Sequence, residues 1–111
     1  MCGISGVLQL NGSAGTDLEQ TVGMMARQLR HRGPDRLGSW IAPDGQIAFG
    51  HARLAVVDVS SAGDQPMTSF DGRWTITYNG EIYNTGFLLA SLGRPKARYR
   101  GHSDTEGLLE C

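Results

Sequence analysis

Leu37-Gly38-Ser39-Trp40-Ile41-Ala42-Pro43-Asp44-Gly45-Gln46-Ile47-Ala48-Phe49-Gly50-His51-Ala52-Arg53-Leu54-Ala55-Val56-Val57-Asp58 is the stretch that decides the fold. Pro43-Asp44-Gly45 is a turn signal. Residues 37–42 before it read as a short strand, and residues 46–58 after it as a longer strand that returns, so the pair reads as a hairpin. Side chains alternate along a strand, which puts His51 and Arg53 on one face with Ile47 and Phe49. An Arg in that position either sits at the strand's exposed end or faces an anion, because its planar fork grips a carboxylate with two prongs.

Upstream, residues 3–10 read as a first strand, broken by Asn11-Gly12-Ser13. Thr16 and Glu19 have capping-box spacing, and Leu18, Val22, Met25, Ala26 and Leu29 follow on one helical face. Gly33-Pro34 should stop that helix near Arg32. Downstream come a loop over 60–66, a turn at Asp71-Gly72 and an alternating strand over 74–78. A short helix over 83–92 is ended by Gly93 and Pro95. Ser103 and Glu106 repeat the capping-box spacing and open a last helix. That helix runs for about two turns and reaches Cys111 without a cap, so the expectation is a chain cut inside an element. The order of elements is that of an α+β chain.

The 111 residues suit one modest domain. Hydrophobic residues at 40% and charged residues at 19% describe a globular chain, not a disordered one. Ten basic against eleven acidic residues leave a net charge of −1, against the basic surplus of a nucleic-acid binder. Apolar runs are far short of the roughly 20 residues of a membrane span, and no signal pattern opens the chain. The expectation is a cytoplasmic protein with neither nucleic acid nor membrane as partner. Cys2 and Cys111, one at each end, are not a disulfide framework. The spacings of His31, His51 and His102 match no zinc pattern, so no metal site is expected.

Four features could carry chemistry. Removal of Met1 would leave Cys2 with its thiol and α-amine on one residue. Such an amine titrates at about 7.7–8.0 and can act as base for the nucleophile. Alone, a Cys at position 2 is more often an accident than a nucleophile. In Tyr78-Asn79-Gly80-Glu81-Ile82-Tyr83-Asn84, the Asn79 amide beside the Gly80 N–H supplies two adjacent donors suited to an oxyanion. Asn-Gly is equally a hairpin signal, although no second alternating strand follows it. Arg53 is either a residue at the strand's exposed end or a clamp for an anion. Asp104, in Gly101-His102-Ser103-Asp104-Thr105-Glu106, is either a helix-start acid or a carboxylate for a substrate ammonium. Together these are the parts needed to hold a free amino acid and attack its side-chain amide.

Six blocks carry a resemblance: Met1-Cys2-Gly3-Ile4-Ser5-Gly6, Arg30-His31-Arg32-Gly33-Pro34-Asp35, residues 53–58, Gln65-Pro66-Met67, residues 79–84 and residues 101–106. In this order, over almost the whole chain, they resemble the glutaminase domain of glutamine-hydrolysing asparagine synthetases, which are class II glutamine amidotransferases. The resemblance implies a four-layer αββα N-terminal-nucleophile hydrolase sandwich, incomplete here, with residues 1–111 as its front part. It implies Cys2 as nucleophile and Asn79 and Gly80 as oxyanion hole. Arg53 would take the glutamine α-carboxylate, and Glu81 and Asp104 its ammonium. Backbone at Val56 and Val57 would line the pocket, and residues 32–35 would form a structural loop beside it.

The family's domain is close to twice as long and precedes a synthetase domain. ATP and magnesium are therefore expected of the full-length enzyme and no cofactor of this stretch. L-glutamine and the absent synthetase domain are the expected partners, and a homodimer at full length stays open. So do two other readings: a class II amidotransferase with a sugar-phosphate or phosphoribosyl acceptor, and an inactive glutamine-binding fragment.

Overall fold

The computed structural model describes residues 1–10, 17–56, 58–93 and 99–111. Three strands, β1 (Gly3–Leu8), β2 (Arg36–Ile41) and β3 (Ile47–Arg53), form an antiparallel sheet in the order β1-β3-β2. β2 and β3 are the hairpin expected from the sequence, and Gly45 supplies the positive φ of its turn, +68°. In β3, Ala48, Gly50 and Ala52 face one way and are buried. Helix α1 (Leu18–Gln28) lies on them with Leu18, Val22 and Ala26, and Val7 and Ile41 close the core at the edges. Small residues on the strand let the helix come close: a β-carbon at Gly50 would lie 2.9 Å from the Val22 carbonyl oxygen. Burying a side chain such as Val22 stabilises the fold by about 1.5–3 kcal/mol.

The helix cap differs from the expectation. Asp17 is the N-cap, its carboxylate accepting from the Gln20 N–H at 3.0 Å, while Thr16 lies outside the described residues. Asn11-Gly12-Ser13, Pro95 and Val57 also lie outside them.

The long strand expected over 46–58 stops at Arg53, because side chains take the next backbone groups. Leu54 N–H and C=O both meet the Cys2 sulfur, and Ala55 N–H donates to Asp35 at 2.8 Å. Likewise the strand expected over 74–78 is reduced to β5 (Thr75–Ile76), paired with β4 (Met67–Thr68). Tyr78 N–H leaves the ladder to donate to the Gln65 side chain. A single 3-10 turn (Ser61–Gly63) precedes β4. α2 (Thr85–Ser91) and α3 (Asp104–Leu109) complete an α+β arrangement in which α3 starts at the Ser103 N-cap.

The Ser103–Glu106 pair is not a reciprocal capping box. Glu106 is buried and reaches further back, accepting from the N–H groups of Arg100 and Gly101 and from Arg100 Nε. Arg100 in turn donates to the Thr68 carbonyl, tying α3 to the ribbon of β4 and β5.

Candidate active site

β1 delivers Cys2. The register sets Gly3 opposite Ala52, and one further residue brings Cys2 beside Arg53 on the sheet face away from α1. The Cys2 sulfur sits between the Leu54 N–H at 3.3 Å and the Leu54 carbonyl at 3.6 Å. Arg32 Nε donates to the Cys2 carbonyl at 3.2 Å. The loop carrying Arg32 crosses β3 so closely that a β-carbon on Gly33 would overlap the Ala52 carbonyl. Asp35 closes the same loop, its N–H donating to the Arg53 carbonyl at 3.0 Å. Residues 32–35 thus fix both the nucleophile candidate and the chain it leans on.

Arg53 is 6% exposed and its fork is largely engaged within the protein. Nη1 donates to Asp64 at 2.5 Å and to the Ser60 carbonyl at 2.7 Å, and Nη2 donates to the Asp58 carbonyl. Asp64 also pairs with Arg36, which stands directly opposite Arg53 across the β2–β3 register. One carboxylate therefore relieves the repulsion between two cross-strand cations. Asp58 is held down to about 2 by hydrogen bonds from the Ser60 hydroxyl and from the His102 and Ser60 backbone.

A second segment arrives from the ribbon. His51 is fully buried, and its Nδ1 meets the Thr77 hydroxyl at 2.9 Å. Burial, and then the Arg53 charge, push its pKa down to about 4. Tyr78 follows, held by Gln65 at 2.6 Å, and Asn79 and Gly80 come next as exposed backbone rather than as a hairpin. Asp104 opens α3 and spends both oxygens locally, on the Ile82 N–H at 2.9 Å and the Thr105 N–H at 2.8 Å. It starts the helix and anchors the turn after Glu81, and each of its oxygens keeps a second acceptor site.

These pieces enclose one cavity of about 440 Å³, within the usual range for small-molecule sites. Cys2, Asn79 and Gly80 line it, and so do Arg53, Val56, Glu81 and Asp104. Every described candidate read from the sequence is there. Residues 1–111 match the family model of the glutamine amidotransferase domain. The chain belongs to that family. The amidotransferase domain is 42% identical over 116 residues to glutamine-hydrolyzing asparagine synthetase 3 of Bacillus subtilis, covering 98% of this chain. It is 41% identical over 106 residues, 96% of the chain, to the glutamine-hydrolyzing asparagine synthetase of Triphysaria versicolor. It is 33% identical over 118 residues, again 96% of the chain, to the amidase chry2 of Gibberella zeae. The chain spans 17% of the length of each of these relatives.

The cavity and its surroundings contain residues that the sequence alone did not single out. Arg32 and Asp35 lie in the stretch 32–35, for which the resemblance implies a structural role alone. Gln65, Tyr78 and Asp64 gave no chemical signal, since their work is hydrogen bonding between segments distant in sequence. Among the described residues no three His, Cys, Asp or Glu side chains cluster as a metal set. No described helix is long and apolar enough to cross a membrane.

Proposed function

We propose that this domain is the glutaminase of an asparagine-synthetase-type amidotransferase, acting from the cytoplasm. With Met1 removed, the Cys2 amine takes the thiol proton and the sulfur attacks the side-chain amide carbon of glutamine. The tetrahedral oxyanion is met by the Asn79 amide and the Gly80 N–H. Collapse expels ammonia, with the proton returned by the amine, and leaves a γ-glutamyl thioester that water hydrolyses to glutamate. Arg53 receives the α-carboxylate through the N–H groups not engaged by Asp64 and the 58–60 carbonyls. Glu81 and Asp104 receive the ammonium, and Val56 and Val57 backbone lines the pocket.

The observation that carries this reading is convergence. Cys2, Arg53, Asn79 and Asp104 come from four separate parts of the chain and line one cavity. The family's four-layer sandwich would be completed by sequence that this chain does not contain. ATP- and magnesium-dependent amidation of aspartate or a related carboxylate belongs to the rest of the full-length protein, and no step of it is assigned to residues here.

The test is covalent labelling of the Met1-processed protein with a glutamine-like electrophile, followed by mapping of the adduct. The adduct is expected on Cys2 and suppressed by glutamine. Labelling of Cys111 in preference to Cys2 would overturn the reading.

A further inference from the structure

Gln65 has no part in the chemistry above, yet it stands where three parts of the site meet. Its main chain lies against β2 at Gly38, where a β-carbon would overlap the Gln65 carbonyl oxygen. Gln65 is 9% exposed, and its side chain uses both ends of the amide. Oε1 accepts from the Tyr78 N–H at 2.6 Å, and Nε2 donates to the Thr105 hydroxyl at 3.3 Å. Tyr78 immediately precedes Asn79, and Thr105 immediately follows Asp104. A single planar amide offers an acceptor and a donor a fixed distance apart.

Resting on the glutaminase reading, we propose that Gln65 is a positioning residue. It sets the separation between the oxyanion donors at Asn79 and Gly80 and the ammonium clamp at Asp104. The two ends of glutamine are a fixed number of bonds apart, so the hole and the clamp must be held at one matching span. A misplacement of about 1 Å costs on the order of 10²-fold in rate. Gln65 thereby couples recognition of the amino-acid end of the substrate to attack at its amide end.

The experiment measures alkylation of Cys2 in the Met1-processed protein by a chloromethyl-ketone analogue of glutamine, the sulfur displacing chloride. Apparent affinity and maximal rate are read separately. Iodoacetamide reports general thiol reactivity, and a second analogue lacks the α-amine. Gln65→Leu is expected to weaken affinity and slow the maximal rate, each by about tenfold or more, since the half-buried Tyr78 N–H loses its acceptor and the span is no longer set. Thr105→Val should weaken affinity alone, and this loss should vanish with the analogue that has no amine. Gln65→Glu keeps an acceptor for Tyr78 and lets the Thr105 hydroxyl donate, so it should recover most of the rate.

Gln65→Leu within about twofold of wild type in both constants would overturn the proposal. So would an equal loss against iodoacetamide, which would mark general disorder of the site. If Gln65→Leu does not fold, Thr105→Val carries the test: an amine-dependent loss of affinity supports the proposal, and an amine-independent loss or no loss overturns it. Wild-type protein alkylated at Cys111 and not at Cys2 would overturn the glutaminase reading itself, which is a separate result.

Discussion

Asn79 and Arg53 both line the cavity, and they should fail differently when removed. In the full-length enzyme, and on the proposed oxyanion role, Asn79→Ala would remove a donor to charge that develops only in the transition state, so kcat should fall by about 10²–10³ with KM little changed. A raised KM at constant kcat would contradict that role. Arg53→Ala should raise the KM for glutamine, and it should also lower thermal stability, because Asp64 and the Ser60 and Asp58 carbonyls lose their partner. Steady-state kinetics beside a melting curve separates the two effects.

His51 makes a further prediction at this scale. Its pKa is 6.5 in the unfolded chain and about 4 in the fold. As pH falls below 6.5 the unfolded chain binds the proton first, so stability is lost progressively down to about pH 4. A shift of this size is worth about 3 kcal/mol, fully present above the unfolded value. Denaturant unfolding between pH 7.5 and 4.5 should show a steeper decline for wild type than for His51→Gln, and equal slopes would contradict the assignment.

Between elements, the close approaches are made at glycines. Gly33→Ala places a β-carbon on the Ala52 carbonyl, and Gly38→Ala places one on the Gln65 carbonyl, both backbone atoms with no side chain to swing aside. Each should destabilise by about 1–3 kcal/mol, the range for overpacking. Gly23→Ala, on α1 with open space around it, should be neutral or stabilising. Thermal melts of the three variants check the contrast. The hairpin of β2 and β3, the face of α1 and the start of α3 were readable because each follows from local turn chemistry or periodicity. The early ends of β3 and β5 were not. They are decided by Cys2, Asp35 and Gln65, which take backbone N–H groups from segments distant in the chain. The candidate site was readable as a set of residue types, Cys2 with Asn79-Gly80 and Asp104. The engagement of Arg53 by Asp64 was not, because a surface-type Asp in a loop gives no sign of which cation it will meet.

Taken as a whole, the molecule covers its sheet unequally. α1 covers one face, and on the other the ribbon reaches the His51 end while Ile4 and Leu8 stand 48% and 60% exposed. Tyr83 and Phe87 are exposed on and before α2. The 111-residue chain in isolation should therefore bind a hydrophobic dye and unfold with weak cooperativity. A sharp calorimetric transition without dye binding would show that these surfaces are self-sufficient.

The pairing of β1 with β3 also bears on which changes of length the gene can absorb. Gly3 faces Ala52, and the sulfur of Cys2 reaches Leu54 only because that count is kept. A strand advances about 3.3 Å per residue and turns over at every step. One codon inserted within residues 3–8 would therefore carry the thiol to the α1 side of the sheet, whereas one inserted beside Gly45 would only enlarge a solvent-facing turn. Single-codon insertion scanning should find the opening strand intolerant and the hairpin tip permissive, so that β1 works as a molecular ruler measured from Cys2.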